Sequence, residues 1–323
     1  MTTKTIPVFF ATDDRYAKYL HVSLVSLIAH TSPLHSYHIH ILNQGLTDQH
    51  QANFKKLETD NVTVDLVDMG EHFAQVMTGD TSTLRGDYST MTIYFRLFIA
   101  EMFPAYDKAI YLDADTILLR DIAELFETDL SGNLVAAAFD SFASEVPITK
   151  RYVEEILGLE ATDYLNSGVL VMNLKAMRAV NFCQHFVNLR TAYNFDLLAG
   201  DQDYLNVMTD GAKVKLSSDW NVLPQIRIDS PKLIHYNLFD KPWHYEGLAY
   251  EEYFWEYAKK TPYYQDLLDE RAAFSKGGKE KDQESLAALL KHANEIVGDS
   301  IAKTLKKVRE EGHDDWWLKA SGY

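Results

Sequence analysis

The sequence predicts an α/β fold with a mixed, mostly parallel sheet that carries helices on both faces. Short apolar runs alternate with segments of helical periodicity through the first part of the chain. This β-α-β-α-β alternation is typical of sheets whose strands are buried on both faces. In addition, two acidic residues directly follow one apolar run, and α/β sheets bind their ligands at the carboxyl ends of strands.

The individual elements follow from local patterns. Strands are predicted where the chain is continuously apolar or alternates in polarity, at residues 6–11, 37–42, 61–67, 109–112, 134–139 and 167–174. Helices are predicted where apolar residues recur every three or four positions. These helices cover residues 19–30, a segment beginning at Thr47, and residues 92–102, 180–192 and 201–210.

The composition changes near residue 275, which predicts a main domain over residues 1–275 and a helical C-terminal tail over residues 276–323. Residues 276–284 are charged and contain glycine, as in a flexible linker. The tail beyond them has helical spacing, lysines, and Trp316 and Trp317. These features are compatible with peripheral membrane contact. The alternative, which we favour, is packing on the main domain or on another subunit in a homo-oligomer.

The composition excludes several classes of protein. The chain has 323 residues, 46% of them hydrophobic and 24% charged, as in an ordinary globular protein. A formal net charge of -16 argues against nucleic-acid binding, and a single cysteine, Cys183, excludes an intramolecular disulfide. No apolar stretch approaches the roughly 20 residues that span a bilayer, and no signal-peptide pattern is present. We therefore expect a cytoplasmic protein, with the inner face of the membrane as the site of any peripheral contact.

The most informative segment contains Asp113 and Asp115, which follow the apolar run 109–112 and precede a second one. Two carboxylates separated by one residue can reach the same hard cation from neighbouring directions. Such a pair also occurs in solvated turns, but the apolar residues on both sides disfavour a turn in water. Because two buried carboxylates repel each other unless a cation lies between them, the context favours a metal site.

Six segments, in this order along the chain, resemble glycosyltransferase family 8. They are residues 10–16, 94–97, 111–115, 166–170, 200–203 and 235–243. This retaining family includes bacterial lipopolysaccharide galactosyl- and glucosyltransferases and glycogenin. The resemblance implies a GT-A (Rossmann-like) fold, a UDP-sugar donor and a divalent metal, commonly Mn²⁺ with Mg²⁺ as the alternative. The acceptor that it implies is a saccharide, a glycolipid or a glycoprotein.

The resemblance assigns the metal ligands to Asp113, Asp115 and His235. Mixed oxygen and nitrogen coordination suits Mn²⁺, and an acidic protein needs a cation to hold a diphosphate. The alternative for His235 is a core histidine bonded to the backbone. Lys241 is expected at a phosphate oxygen, and its alternative is a solvated lysine.

The donor-binding residues that the resemblance implies lie in the first loop and in the later family segments. They are Ala11, Thr12, Asp13, Tyr16, Arg96, Asp113, Ala114, Asn166, Ser167 and Lys241. Tyr16 is expected to stack on the base, the alternative being packing on the next helix. Arg96 lies among apolar residues, and a buried guanidinium needs an anionic partner.

The catalytic residues that the resemblance implies are Asp140, Asp201, Gln202 and Lys241. Gln202 matches the family residue that faces the anomeric carbon opposite the leaving group. Because an amide is a poor nucleophile, we favour a front-face mechanism over double displacement through a carboxylate. Asp201 and Asp203 also have a purely structural interpretation, as caps of a helix N-terminus.

One position departs from the family pattern. The family usually has glycine three residues after its metal-binding histidine, whereas this chain has Leu238. A leucine disfavours a positive φ, so we expect the loop to take another path or a phosphate contact to be lost.

Two further classes of function remain open. One is a nucleotide-sugar-binding accessory subunit with weak or no catalysis, which the departure at Leu238 permits. The other is a nucleotidyltransferase, which normally carries a glycine-rich phosphate loop early in the chain. The segment after Phe10 has no glycine, so this class ranks last.

Overall fold

A computed structural model describes residues 4–70, 91–193, 195–274 and 276–311. Its strands are β1 (Thr5–Thr12), β2 (Ser36–Asn43), β3 (Val62–Asp68), β4 (Ala109–Leu112), β5 (Thr116–Leu118), β6 (Val135–Phe139), β7 (Leu165–Met172), β8 (Lys213–Lys215) and β9 (Leu233–His235).

Helices connect these strands and form the C-terminal part of the described chain. They are α1 (Ala17–Ala29), α2 (Asp48–Lys55), a 3-10 helix (Met91–Phe98), α3 (Ile99–Met102), α4 (Ile122–Phe126), α5 (Ser141–Glu145), α6 (Pro147–Tyr152), a π-helical turn (Val153–Leu157), α7 (Leu174–Ala179), α8 (Phe182–Tyr193), α9 (Gly200–Met208), α10 (Glu251–Ala258), α11 (Tyr264–Ala273), α12 (Lys276–Gly298) and α13 (Leu305–Glu310). Single 3-10 turns cover Ala161–Asp163 and Ser218–Trp220.

The main sheet has the strand order β3-β2-β1-β4-β7-β6-β8. Strand β1 pairs in parallel with β2 and β4, whereas β7 runs antiparallel to β4 and β6. The predicted mixed, mostly parallel sheet is therefore confirmed. Because the chain extends the sheet in one direction from β1 to β3 and then returns to place β4 on the other side of β1, the ligand crevice of such a fold lies at the carboxyl ends of β1 and β4.

Strand β1 shows why the sequence reads as continuously apolar. Phe9 packs into the hydrophobic core on one side of the sheet, and Val8 and Phe10 pack into the core on the other. All three side chains are fully buried. Alternate residues of a strand point to opposite faces, so a sheet covered on both faces requires apolar residues at every position.

A second, two-stranded sheet brings distant parts of the sequence together. Strands β5 and β9 pair antiparallel, with Thr116 opposite His235. The amide of Tyr236 donates to the carbonyl of Asp115 over 3.0 Å. This register places His235 beside the acidic pair.

The helix predicted over residues 92–102 is present but differs in type. Its first part is the 3-10 helix, and only α3 is α-helical. The β-branched Thr92 and Ile93 and the aromatic Tyr94 and Phe95 are weak α-helix formers. Tertiary packing decides the local geometry instead, because Tyr94 and Phe95 are buried in the core.

The flexible linker predicted over residues 276–284 is wrong, because α12 begins at Lys276. Gly277 and Gly278 favour a linker, because a glycine destabilises a helix by about 1 kcal/mol relative to alanine. Strong helix formers follow these glycines, and the Tyr245 hydroxyl donates to Asp282 Oδ2 over 2.7 Å. The helix formers and this hydrogen bond together stabilise the start of α12.

The tail packs on the main domain over its described part. Four of its apolar side chains join the core cluster beside the sheet: Ala293, Ile296, Leu305 and Val308. Packing on the main domain, one of the two interpretations of the tail, is thus observed. Trp316 and Trp317 lie outside the described residues, and the boundary at residue 275 remains a prediction. Within the described ranges no helix is long and apolar enough to cross a membrane.

Candidate functional site

The three predicted metal ligands meet at the carboxyl end of β4. Asp113 and Asp115 lie between β4 and β5, and His235 ends β9. Their ligand atoms lie within 4.8 Å of one another. His235 Nε2 is 3.2 Å from Asp115 Oδ1 and 3.7 Å from Asp113 Oδ2. The predicted cluster is therefore assembled by the fold.

Two local observations show that this cluster fits a divalent cation. Asp115 Oδ1 is buried without a hydrogen-bond partner within the described part of the chain. Gly168 has no side chain and therefore leaves space beside the cluster. A Cβ at this position would lie 2.2 Å from His235 Cε1 and 2.7 Å from Asp113 Oδ2. Two carboxylates and one imidazole form a donor set that suits Mn²⁺.

Lys241 contacts the cluster, and only 2% of its surface is exposed. Its alternative interpretation, a lysine that is solvated at the surface, is therefore wrong. Its Nζ donates over 2.5 Å both to Asp115 Oδ2 and to the Tyr236 carbonyl. Burial raises the pKa of Asp115, but the positive charge of Lys241 helps to outweigh burial and to hold that pKa below its ordinary value. The ionised Asp115 thus stabilises the fold above about pH 4, and this stabilisation is lost as the pH falls through the lowered native pKa.

Arg96 has the anionic partners that its burial requires, as predicted. Its guanidinium bonds Asp113 Oδ1 at 2.8 Å and Asp201 Oδ2 at 3.2 Å. It also donates to the carbonyl and hydroxyl oxygens of Ser167 and lies 4.3 Å from the centre of the Tyr111 ring. Arg96 therefore links Asp113 of the acidic pair to Asp201 of α9.

The predicted catalytic residues Asp140 and Gln202 are in direct contact. Gln202 Nε2 donates to Asp140 Oδ2 over 3.0 Å, and its Oε1 accepts from the Ser167 amide over 2.9 Å. Asn166 Nδ2 donates to the same Asp140 oxygen over 3.3 Å. Asp140 also caps α5 by accepting from the Phe142 amide. The amides of Gln202 and Asn166 are thereby held in defined orientations.

Asp203 has the structural role that was one of its interpretations. It is fully buried and accepts hydrogen bonds from the hydroxyls of Tyr152 and Tyr164. Its Oδ2 also accepts from the Ala199 amide at the start of α9 over 2.8 Å. Asp201, by contrast, bonds Arg96 and accepts from the Ser167 hydroxyl over 3.1 Å.

Two cavities meet at the acidic pair. The first, here called the β1 cavity, has a volume of about 510 Å³ and is lined by the loop after β1. The second, the α9 cavity, has a volume of about 160 Å³ and lies against the start of α9. Ile93, Arg96, Asp113 and Asp115 line both cavities.

The predicted site residues divide between these cavities. The β1 cavity is lined by the predicted donor-binding residues Ala11, Thr12, Asp13, Tyr16 and Ala114. The α9 cavity is lined by Asp140, Asn166, Ser167, Asp201, Gln202 and His235. The predicted site residues thus lie on both sides of the candidate metal cluster, and Lys241 bonds its member Asp115.

The packing of Tyr16 on the next helix, one of its two interpretations, is observed. Its ring packs edge-on against Tyr19 of α1, with ring centres 5.1 Å apart. It also lines the β1 cavity, beside Asp13, whose Oδ1 accepts from the Tyr16 amide over 2.9 Å. Stacking of Tyr16 on a base remains a prediction.

Sequence reasoning missed several residues of the site. Tyr111 and Gly168 stand inside the recognised segments but were given no role. Asn221, Glu270 and Leu289 stand outside those segments. Glu270 of α11 lines the β1 cavity and Leu289 of α12 lines the α9 cavity. The sequence carries no local signal for these three residues, because only the tertiary fold brings Glu270 and Leu289 to the cavities and Asn221 to His235.

Leu238 does not take the alternative path that its side chain predicts. Its φ is +51°, in the region that favours glycine, and it lines the α9 cavity. Flanking hydrogen bonds hold the loop, since the Asn237 amide donates to the His235 carbonyl and the Lys241 amide to the Phe239 carbonyl. The fold imposes this conformation on a residue that tolerates it poorly.

Leu238→Gly is expected to raise the free energy of unfolding by about 1 kcal/mol, because the left-handed conformation costs a non-glycine residue roughly 1–2 kcal/mol. Part of this gain is offset by the greater entropy of glycine in the unfolded chain. Urea unfolding measures the change. Leu238→Ala is the matched control, because it removes the side chain and keeps the strained Cβ. Equal stabilisation by both variants would contradict the strain interpretation.

Sequence comparisons identify relatives of this chain. The family described as Glycosyl transferase family 8 matches residues 7–247. A putative glycosyltransferase of Haemophilus influenzae is 26% identical over 227 residues, which cover 70% of this chain and 66% of that protein. A lipopolysaccharide 1,2-glucosyltransferase of Escherichia coli is 24% identical over 75% of this chain and 74% of that protein. The chain spans only 60% of another relative, glycosyltransferase GlyF of Streptococcus pneumoniae, to which it is 25% identical.

Solved structures agree with this assignment. Galactosyltransferase LgtC, in complex with donor and acceptor sugar analogues, superposes with a TM-score of 0.67 at 26% identity, covering 80% of this chain and 96% of that chain. The bifunctional glycosyltransferase WbbM has a TM-score of 0.71 at 24% identity, covering 83% of this chain and 52% of that chain, and supports the fold alone. The predicted GT-A fold is confirmed. With a family match over most of its length, this chain belongs to glycosyl transferase family 8.

Proposed function

We propose that this chain is a metal-dependent, retaining hexosyltransferase. It moves glucose, galactose or N-acetylglucosamine from a UDP-sugar to a saccharide, glycolipid or glycoprotein acceptor. One observation carries this proposal: the cluster of Asp113, Asp115 and His235 lies where the β1 and α9 cavities meet. A nucleotide sugar is a two-part ligand joined by a diphosphate, so a cation site between two cavities suits it.

Each part of the donor has a matching environment. We assign the nucleoside to the larger β1 cavity, where Tyr16 offers a ring, and Asp13 and the backbone of the first loop offer hydrogen bonds. We assign the transferred sugar to the α9 cavity, where Asp140, Asp201 and Gln202 offer partners for hydroxyl groups. Polar groups of this kind fix a ligand's orientation in a pocket.

The metal would be held by Asp113, Asp115 and His235, with Mn²⁺ preferred and Mg²⁺ as the alternative. When bound, it would neutralise the diphosphate as a Lewis acid. Lys241 holds Asp115 in place through the bond between Nζ and Oδ2, and its positive charge would favour a departing diphosphate. These residues make the departure of the diphosphate easier.

We take retention from the resemblance to the family, and we favour a front-face mechanism over double displacement because the Gln202 amide is a poor nucleophile. In our proposal the bond from the anomeric carbon to the phosphate oxygen breaks, and the bond to the acceptor oxygen forms on the same face. The acceptor's hydroxyl proton passes to the departing phosphate oxygen, which releases UDP. Gln202 and Asp140 orient the sugar and stabilise its developing positive charge.

Gln202→Glu is expected to lower turnover by at least about 10-fold, the effect of losing one positioned hydrogen bond of about 1.4 kcal/mol. A carboxylate at this position cannot donate to Asp140 as the Gln202 amide does, and the two acids repel each other. Intact-mass spectrometry of the variant incubated with donor is expected to show unmodified protein. An accumulating glycosyl-enzyme would contradict the front-face mechanism.

A screen of UDP-sugars for manganese-dependent hydrolysis or transfer tests the proposed function directly. We expect at least one hexose donor to turn over, and the Asp113→Asn/Asp115→Asn variant to be inactive with it. Binding of UDP without turnover of any donor would instead favour the alternative function, a nucleotide-sugar-binding accessory subunit.

The remaining predictions concern the surroundings of the enzyme. A cytoplasmic location, and contact of the tail with the inner face of the membrane or with a second copy, stay predictions. Co-sedimentation of the full chain with anionic vesicles, compared with Trp316→Ser/Trp317→Ser, tests the membrane contact. Equal sedimentation of both proteins would remove any role of these tryptophans.

A further inference from the structure

The second nitrogen of His235 has a side-chain partner. Its Nδ1 lies 3.0 Å from Asn221 Oδ1, while Nε2 faces the two aspartates. Asn221 is buried, with 6% of its surface exposed. A histidine that binds a metal through one nitrogen usually donates its other N–H to a fixed acceptor. Asn221 occupies the position of that acceptor.

The orientation of the Asn221 amide follows from a backbone group further along the network. The Gly168 amide donates to Asn166 Oδ1 over 3.0 Å, so this atom is the amide oxygen of Asn166. Asn221 lies 2.9 Å from the same oxygen, so the atom it presents there must be its donor, Nδ2. The opposite atom, Oδ1, is then left to accept from His235 Nδ1–H, which leaves the Nε2 lone pair for a metal.

The local backbone fixes Asn221 independently of the metal. Asn221 ends the 3-10 turn Ser218–Trp220, where its amide donates to the Ser218 carbonyl over 3.1 Å. The next residue pairs with β9: the Val222 amide donates to the Leu233 carbonyl, and the His235 amide donates to the Val222 carbonyl, both over 2.9 Å. This pairing brings the Asn221 side chain to the His235 ring.

Hydrogen bonds through Asn166 connect the same amide to residues of the α9 cavity. Asn166, which accepts from Asn221, donates to Asp140 Oδ2, and Gln202 donates to that same oxygen. A continuous chain of hydrogen bonds thus runs from His235 through two asparagines and Asp140 to Gln202. Buried networks in which every member has its partner hold side chains in a single arrangement.

We propose that Asn221 is a positioning residue that fixes the tautomer and orientation of His235 for metal binding and ties the metal cluster to the residues of the α9 cavity. This inference rests on the proposed metal dependence of the chain. Asn221 touches neither the proposed metal nor the proposed donor, so its effect passes through His235 and Asn166.

Two substitutions separate the roles of the amide. Asn221→Leu removes both the acceptor for His235 and the donor to Asn166. Asn221→Asp keeps an acceptor for His235 Nδ1–H and loses the donor. Asn53→Leu is the matched control for the loss of a buried amide, since Asn53 donates to the Tyr263 hydroxyl over 2.9 Å and neither residue lines the two cavities.

Electron paramagnetic resonance measures the Mn²⁺ affinity of the full chain. UDP is present and no sugar donor is added, so the readout does not depend on turnover. Asn221→Leu is expected to bind Mn²⁺ about 10–100-fold more weakly, the usual effect of losing such a partner. Asn221→Asp and Asn53→Leu are expected to bind it as the natural chain does. Thermal unfolding without metal verifies that each variant is folded.

Two results would overturn the inference while leaving the proposed function intact. One is unchanged Mn²⁺ affinity in folded Asn221→Leu, and the other is a tenfold loss in Asn221→Asp, which keeps the acceptor. The second result decides the question even where Asn221→Leu does not fold. Absence of Mn²⁺ binding by the natural chain would instead overturn the proposed metal dependence, and the inference with it.

Discussion

Asp115→Asn is expected to lower manganese-dependent sugar transfer by at least about 10³-fold. A metal ion that neutralises a leaving diphosphate supplies several kcal/mol, and each 1.4 kcal/mol is worth a factor of ten in rate. Asp115 is the member of the cluster that contacts both His235 and Lys241. Its replacement therefore removes one ligand and leaves the buried Lys241 ammonium without this carboxylate. Initial rates with the donor found by screening, at saturating Mn²⁺, measure the loss.

The same variant is expected to be less stable, because removing one partner of a buried ion pair costs about 3–5 kcal/mol. Urea unfolding separates this effect from the loss of activity, which is measured under conditions where the variant is folded. Asp107→Asn is the matched control, since the Asp107 side chain is 75% exposed and its partner Arg178 lies at 3.4 Å. Full activity of folded Asp115→Asn would contradict the assignment of Asp115 as a metal ligand.

Gly168→Ala is expected to abolish measurable Mn²⁺ binding and to lower the free energy of unfolding by about 1–3 kcal/mol, the usual range for overpacking a core. The added methyl group would lie 2.2 Å from His235 Cε1 and 2.8 Å from His235 Nδ1. The clash forces the imidazole away from the acidic pair or displaces β7. Calorimetric titration with Mn²⁺ and UDP tests the binding, and urea unfolding tests the stability.

Gly298→Ala is the matched control for this experiment, because a Cβ there meets no heavy atom within 4 Å. It is expected to leave both binding and stability nearly unchanged. Normal Mn²⁺ affinity in Gly168→Ala would show that the cluster tolerates a shift of His235, and would argue against the tight geometry inferred from the packing.

The fold was largely predictable because its signals are local. Apolar runs, such as the one that became β1, mark strands that are buried on both faces, and their alternation with helices predicts the sheet. The acidic pair was recognisable for the same reason, since Asp113 and Asp115 directly follow β4. Local signals fail where packing decides: the 3-10 geometry before α3 and the helix at residue 276 both depend on contacts with distant parts of the chain.

The site was predictable only where its residues stand in recognised segments. His235 and Gln202 could be assigned in this way, but Asn221 could not, because its role depends on the pairing of Val222 with β9. Leu238 stands in a recognised segment, but its backbone conformation could not be predicted. Its side chain predicts a negative φ, yet the surrounding loop imposes a positive one. Propensity states what a residue prefers, and the tertiary structure determines whether that preference is met.

The position of α12 has a consequence for biosynthesis. Chains fold from the N-terminus while they are being translated, and the three metal ligands all precede α12 in the sequence. Leu289, a lining residue of the α9 cavity, lies within α12. The three predicted metal ligands therefore leave the ribosome before this part of the cavity wall does. A chain truncated before α12 would keep the three predicted ligand residues but would lack Leu289 in the wall of the α9 cavity.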